Sequence, residues 1–256
     1  MKKLYIFPVL FVALFAGFLS GCDVNEDPNS WKILDDSFAY RIWQFEKDQS
    51  GENFYIYRIK PDQFNIKILN SSDKPKYVSD WLYDNDTAEI VINGAYFHED
   101  FSPSGFLKIN SGRIGERLFD QNLSGLITIE NKNKLTIRDL KTNPFKEDEV
   151  IENGMQSYPF LIKNSLPAVT DDTEKTARRT ALGLDNNGNI YIIISDITHI
   201  SLYEFMNQIV KTEIPFTDVL NLDGGTSTGI AISYGSFREV KDSLVKVPSV
   251  IVFDKI

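Results

Sequence analysis

Cysteine occurs once in these 256 residues and histidine only twice. A disulfide framework is therefore excluded, and a Cys/His zinc centre has too few ligands to assemble. Positive charge is also scarce: Lys and Arg number 27 against 36 Asp and Glu, a formal net charge of −9. Nucleic acid is excluded as a partner, because phosphate binding needs a basic field that this chain lacks. Beyond the N-terminal segment there is no apolar run approaching the ~20 residues of a spanning helix, which excludes a polytopic membrane protein. No repeat and no spacing suited to metal ligands is apparent, so no metal and no cofactor is expected. What remains is ordinary globular composition, 42% hydrophobic with 12% aromatic residues, long enough to bury a core without staples.

The single cysteine stands at an informative place. Met1-Lys2-Lys3 is a short basic start, Leu4 to Leu19 is almost wholly apolar, and Leu19-Ser20-Gly21-Cys22 ends the run in small residues. This is the three-part form of a secretory signal, and it resembles the lipobox of bacterial lipoproteins. The resemblance implies a signal peptide over residues 1–21 and an acylated Cys22 that anchors the chain to a membrane of the bacterial cell envelope, periplasmic or surface-exposed. An ordinary signal or an uncleaved anchor would leave Cys22 incidental. Several acyl chains on one residue hold stably, each buried CH₂ adding about 0.8 kcal/mol. Residues 22–30, with Asp23 to Ser30 reading DVNEDPNS, are expected to form an acidic flexible tether, followed by one domain over residues 31–256.

Within that domain the pattern is mostly strand. Phe38–Phe45, Asn53–Ile59 and Phe64–Leu69 alternate apolar with polar residues and are rich in aromatic and β-branched types, which predicts an antiparallel meander. Tyr77, Val78, Trp81 and Leu82 recur at helical spacing. Further strands are expected at Glu89–Asn93, Leu126–Glu130, Leu135–Asp139, Tyr158–Lys163, Thr180–Asp185, Ile190–Asp196, Val219–Leu222, Ile230–Tyr234 and Val247–Phe253. Asn187-Gly188 marks a hairpin. Ser201 and Glu204 form a capping box for a helix with Leu202, Phe205, Ile209 and Val210 as its apolar stripe. The fold class is α+β: a single domain of mostly antiparallel or mixed β-sheet with few helices.

Two polar, glycine-bearing corners interrupt the strands. One is Asn93-Gly94-Ala95-Tyr96-Phe97 with Pro103-Ser104-Gly105, and the other is Asn221-Leu222-Asp223-Gly224-Gly225-Thr226-Ser227-Thr228. Each follows an apolar strand, so rigid structure holds its polar groups at a strand end, where sites commonly lie. Gly224-Gly225 permits close approach of a ligand, and successive N–H groups there can cradle an anion. Taken alone, each corner also reads as a plain turn.

In order and spacing these residues resemble the phosphodiester glycosidase family. Its N-G-G-Y/F-F corner is matched by Asn93–Phe97 with alanine at position 95. Its P-x-G and strand are matched by Pro103-Ser104-Gly105 and Phe106–Ile109, and its R-T-A-I-G strand by Arg179-Thr180-Ala181-Leu182-Gly183. The D-x-x-G hairpin is matched by Asp185–Gly188, and its aspartate before the capped helix by Asp196 and Ser201–Glu204. Its N-L-D-G-G-G-S-S loop is matched by Asn221–Thr228, with threonine at 226. The resemblance covers roughly residues 85–253. It implies cleavage of a sugar from a phosphate at the anomeric carbon, with a glycan or sugar phosphate as substrate.

That chemistry needs a cation for the departing phosphate and a carboxylate facing an oxocarbenium-like carbon. Arg179 suits the first, since guanidinium binds phosphate oxygens bidentately, and beside it Arg178 reads as a solvated charge. Asp223 and Asp196, each at a strand end, suit the second. Asn93, Gly94, Tyr96, Phe97, Gly105, Asn221, Gly224, Gly225 and Ser227 are the expected substrate-binding residues, though Asn93 also reads as a turn element and Tyr96 and Phe97 as core. His98 and His199 read as satisfied or exposed histidines. The competing readings are a glycan-binding lipoprotein without turnover and an exopolysaccharide-assembly factor.

Overall fold

The computed structural model describes residues 27–47, 49–110, 112–116, 123–146 and 148–256; the leader, Cys22 and most of the tether lie outside them. Residues 27–30 form a turn whose Asn29 side chain accepts a hydrogen bond from the Gln44 amide. Among the described residues, no helix is long and apolar enough to cross a membrane.

Strands β1 (Lys32–Ile33), β2 (Phe38–Lys47), β3 (Ser50–Ile59) and β4 (Phe64–Asn70) precede helix α1 (Val78–Tyr83) and strand β5 (Ala88–Asn93). Short strands follow: β6 (Leu107–Ile109), β7 (Gly112–Arg113), β8 (Gly125–Glu130), β9 (Lys134–Asp139), β10 (Asn153–Ser157), β11 (Phe160–Lys163) and β12 (Leu166–Pro167). The long hairpin β13 (Ala177–Asp185) and β14 (Ile190–Ile200) turns at Asn187-Gly188, with Gly188 at φ +78°. Helix α2 (Leu202–Lys211), β15 (Phe216–Asn221), β16 (Ile230–Tyr234), β17 (Phe237–Lys241) and β18 (Ser249–Lys255) complete the chain.

These strands make three sheets, ordered β1-β2-β3-β14-β13-β15-β11-β12, β17-β16-β5-β18-β4 and β7-β6-β10-β8-β9. Their described pairings are antiparallel. The fold is α+β with few helices, as its strand-rich pattern implies. The main core takes Tyr57, Ile192 and Leu220 from the first sheet, Ile68, Ile92 and Ile251 from the second, and Ile127 and Met155 from the third. The other face of the first sheet packs Phe54, Ala181 and Ile193 against Phe205 and Ile209 of α2. Helix α1 covers the second sheet through Val78, Trp81 and Leu82.

Two local expectations are corrected. The meander stops after two strands: β2 pairs β3, but β4 crosses to the second sheet and pairs β18 from Phe64–Lys255 to Asn70–Ser249. The 3₁₀ turn Pro61–Gln63 redirects the chain there, so that Phe64, Ile66 and Ile68 enter the main core from the opposite side. In α2, Ser201 caps as expected by accepting the Glu204 amide, but Val210 is exposed and Met206 is buried. Residue 210 lies one step past a stripe already filled by 202, 205, 206 and 209.

Candidate active site

The first corner is built around Asn93, the last residue of β5, which is fully buried. Its amide nitrogen donates to the Asp223 carbonyl (2.7 Å), and its oxygen accepts from the Thr180 hydroxyl (2.8 Å) and the Gly229 amide (3.1 Å). One side chain thereby joins β5, β13 and the Asp223–Gly229 loop. Gly94 continues the seam: its carbonyl accepts from the Asp223 amide and its own amide donates to the Ser249 carbonyl. A Cβ at Gly94 would come within 2.5 Å of Ser249 Oγ, so the backbones meet only because no side chain intervenes. Ser104 N–H donates to the Tyr96 carbonyl, which brings the Pro103–Gly105 segment onto the same corner. Phe97 stacks on Phe101, with ring centroids 5.8 Å apart. Gly105 is buried against Leu123 and Gln156.

Asp223 leaves the end of β15 by the alternation that sends Val219 and Asn221 to the α2 face and Leu220 and Leu222 to the main core. Burial pushes its carboxyl up from 3.8 to about 6, against hydrogen bonds from the Ser227 hydroxyl and the Gly224 amide (2.9 Å) that favour the anion. Gly224 rests on β13, where a Cβ would meet the Arg178 carbonyl at 2.9 Å, and Gly225 holds φ +60° with open space around it. The loop is thus bare where the carboxylate emerges.

Tyr96 connects the elements of this site: its hydroxyl bonds Asn221 and its ionisation is affected by both Asp223 and Arg179. The Arg179 guanidinium is half-buried, donates to the carbonyls of Ile200 (2.9 Å) and Lys175 (2.6 Å), and meets no carboxylate in ion-pair range among the described residues. Burial draws its pKa down, which the Tyr96 hydroxyl partly opposes. The Tyr96 hydroxyl donates to the Tyr158 carbonyl (3.1 Å) and accepts from Asn221 Nδ2 (2.7 Å). Burial, with Asp223 and Tyr158 adding to it, raises the Tyr96 pKa so that the phenol stays protonated.

Asp196 is not part of this cluster. It points with Ile194 toward the main-core face of β14, 3.6 Å from Lys241 Nζ, with Oδ1 buried and unpartnered among the described residues. Lys241 also pairs with Glu239 at 3.0 Å and lies 3.5 Å from the centroid of the Tyr55 ring. Arg178 faces the same group. It is only 6% exposed, donates to the Asp242 carbonyl (2.9 Å), and carries buried Nε and Nη1 atoms without partners among the described residues. Reading it as a solvated charge is corrected: alternation turns Arg178 inward with Thr180 and Leu182, beneath the Asp223 loop. β13 therefore holds two arginines on opposite faces, Arg179 acting on Tyr96 and Arg178 on Asp196.

His199 is exposed, its carbonyl accepting from Lys47, and His98 closes a turn with Ser102. A groove of about 700 Å³ beside Asn65, Lys67, Asn131 and Asn153 has none of the candidate site residues in its wall. Sequence reading passed over Lys241 and Tyr158. Tyr158 carried a legible signal, an aromatic directly before proline at a strand start.

A buried carboxylate tuned toward neutrality on a glycine-bared loop, and a half-buried guanidinium, both act on the Tyr96 hydroxyl, and such a cluster of perturbed groups marks a candidate site. The chain belongs to the phosphodiester glycosidase family, whose model matches residues 86–253. A hypothetical protein from Synechocystis superposes with a TM-score of 0.62 at 16% identity, over 90% of this chain and 64% of that one. This chain thus spans about two thirds of that protein's length. The catalytic domain of zebrafish N-acetylglucosamine-1-phosphodiester alpha-N-acetylglucosaminidase, auto-inhibited by its pro-peptide, superposes equally well at a TM-score of 0.62. Identity there is 14%, over 86% of this chain and 83% of that one. No curated protein matches the sequence.

Proposed function

We propose that this protein hydrolyses sugar-1-phosphodiester linkages, releasing a sugar such as N-acetylglucosamine from surface or extracellular glycans. The observation that carries the reading is the convergence of Asp223 and Arg179 on the Tyr96 hydroxyl, whose ionisation both affect, at a loop bared by Gly224 and Gly225. Water adds to the anomeric carbon as the C1–O bond to phosphate breaks, and the electron pair leaves on the phosphate oxygen. Asp223 accepts the proton from the water, a role suited to a carboxyl that titrates near 6. Arg179 faces the charge that grows on the departing phosphate, and burial strengthens that interaction. A phosphate monoester and a free sugar are the products.

The test is release of free sugar from UDP-N-acetylglucosamine and a panel of methyl-phospho-sugars. Asp223→Asn keeps the size and the turn hydrogen bonds but deletes the charge, and is expected to lower turnover at least about a hundredfold. Near-normal turnover in that variant would remove Asp223 as the base, and Asp196→Asn measured in parallel would show whether the chemistry lies instead on the Lys241 side of β14. Binding without release across a broad panel would make the protein a glycan-binding module.

The lipobox-like Leu19–Cys22 supports attachment to the bacterial cell envelope through acylated Cys22. Cys22→Ser is expected to shift the protein from the membrane to the soluble fraction. Membrane partitioning that persists in a processed Cys22→Ser protein would place the anchor elsewhere.

A further inference from the structure

Segment Ser157–Pro159 is fastened to the Asp223 strand by a single residue. Ser157 Oγ donates to the Asn221 carbonyl (2.7 Å), the Asn221 amide donates to the Pro159 carbonyl (2.9 Å), and Asn221 Nδ2 donates to the Tyr158 carbonyl (3.0 Å). The Tyr96 hydroxyl adds a further bond to the same Tyr158 carbonyl. The backbone at 158 is therefore fixed relative to Asp223, two residues beyond Asn221. Its neighbours Ser157 and Phe160 are buried, yet the Tyr158 side chain stands 36% exposed. One side of its ring is backed by Tyr96, with centroids 4.8 Å apart and planes tilted by 37°.

An exposed aromatic residue is unremarkable by itself. An aromatic ring on a clamped backbone, backed by a second ring whose hydroxyl feels both Asp223 and Arg179, is a binding surface already in place. On the sugar-phosphodiester reading Arg179 and the glycine loop beyond the committed Gly224 N–H hold the phosphate, but a neutral pyranose offers them no charge. What it offers is a face of C–H groups carrying slight positive charge, which packs on the negative face of an aromatic ring. Tyr96 is poorly placed to provide that face, because its hydroxyl is committed and Tyr158 lies against its ring.

We propose that Tyr158 is the sugar-stacking platform of this site, taking a pyranosyl ring with an unbroken C–H face while Arg179 and the Gly224–Gly225 loop take the phosphate. The assignment rests on the sugar-phosphodiester reading above and names the part of the substrate that each side of the site holds. An axial hydroxyl on the stacked face would lift the sugar from the ring, so gluco-configured sugars are preferred.

The test is calorimetric titration of two probes, N-acetylglucosamine 1-phosphate and methyl phosphate, into wild type, Tyr158→Phe and Tyr158→Ala. Tyr158→Phe is expected to bind both probes within about twofold of wild type. Tyr158→Ala is expected to weaken the sugar phosphate by up to about tenfold, the reach of one aromatic contact, and to leave methyl phosphate unchanged. Equal weakening of both probes in the alanine variant would mean a collapsed loop and would overturn the platform. So would alanine binding the sugar phosphate as wild type does, phenylalanine failing as badly as alanine, or wild type gaining nothing from the sugar over methyl phosphate. Turnover does not enter these readouts. A protein that binds through Tyr158 but releases no sugar would refute the hydrolase reading and leave the platform standing.

Discussion

Asp223 carries opposing consequences for function and stability. Its carboxyl titrates near 6 in the folded protein against 3.8 for the unperturbed group, chiefly because burial penalises the anion. The native state therefore binds this proton more tightly than the unfolded chain does. It follows that stability falls as pH rises from about 4 through about 6, and stays depressed above that. A shift of roughly two units corresponds to about 3 kcal/mol held against folding at neutral pH. Asp223→Asn retains an oxygen to accept the Gly224 amide and removes the charge, so it should melt higher than wild type at pH 8 and alongside it at pH 4. The same ionisation that destabilises the fold creates the base, so kcat/KM of the wild type should climb through about pH 6. Thermal melts of both proteins across pH 4–8, beside one pH–rate profile, check both statements. An asparagine variant no more stable than wild type at pH 8 would show that the anion is better compensated than its burial implies.

At the scale of elements, the site arises where β5, β13 and β15 end together. Much of it was legible: Asn187-Gly188 marked the β13–β14 hairpin, Ser201 marked the start of α2, and the glycine pairs marked the corners. Facing was not legible along β13. The run Ala177-Arg178-Arg179-Thr180 has no apolar alternation to show which side is inward, and the ladder shifts register between residues 177 and 179. Arg178 thus read as a solvated charge beside a site arginine, while the pleat turns it inward toward Asp196 and leaves Arg179 on the Tyr96 side. β10 was passed over for a related reason. Asn153-Gly154-Met155-Gln156-Ser157 has one large apolar residue, and its buried Gln156 works through hydrogen bonds, accepting the Phe106 amide and donating to the Leu123 carbonyl. Asn93 makes the same point inside the site. Its type announced a polar corner, but only the meeting of three distant segments shows that its amide binds Thr180, Asp223 and Gly229 in the folded chain.

Across the whole molecule, the family match begins at residue 86, yet the preceding strands are integral: β2 and β3 extend the first sheet and β4 closes the edge of the second. A polar clasp ties that early segment to the end of the chain. Asp35 Oδ1 accepts from the Ser37 amide (2.8 Å), the Ser37 hydroxyl (2.7 Å) and the Phe38 amide (3.0 Å). Its Oδ2 accepts from the Tyr234 hydroxyl (2.5 Å) and Lys255 Nζ (3.0 Å), and Lys255 also donates to the Tyr234 hydroxyl (2.6 Å). Partial burial would raise the Asp35 pKa, but the bonds from Tyr234, Ser37 and Lys255 outweigh it and hold the carboxyl well below its usual range. Bonds to Tyr234 and Asp35 raise Lys255 above its ordinary value. The signs then fix the window. Asp35, with a lowered folded pKa, contributes fully above about pH 4 and loses that contribution as pH falls toward its folded value; Lys255 contributes fully up to its ordinary pKa and loses its share only at higher pH. The ion pair itself is largely exposed and screened, so the carboxylate acts mainly through Tyr234 and the two backbone amides. Asp35→Asn should therefore lower the melting temperature by a few degrees at pH 7, and the gap to wild type should narrow steadily in melts at pH 4 and pH 3. A gap that stays constant down to pH 3 would show that the clasp holds by shape alone, and that the charge on Asp35 adds nothing to joining the two ends of the chain.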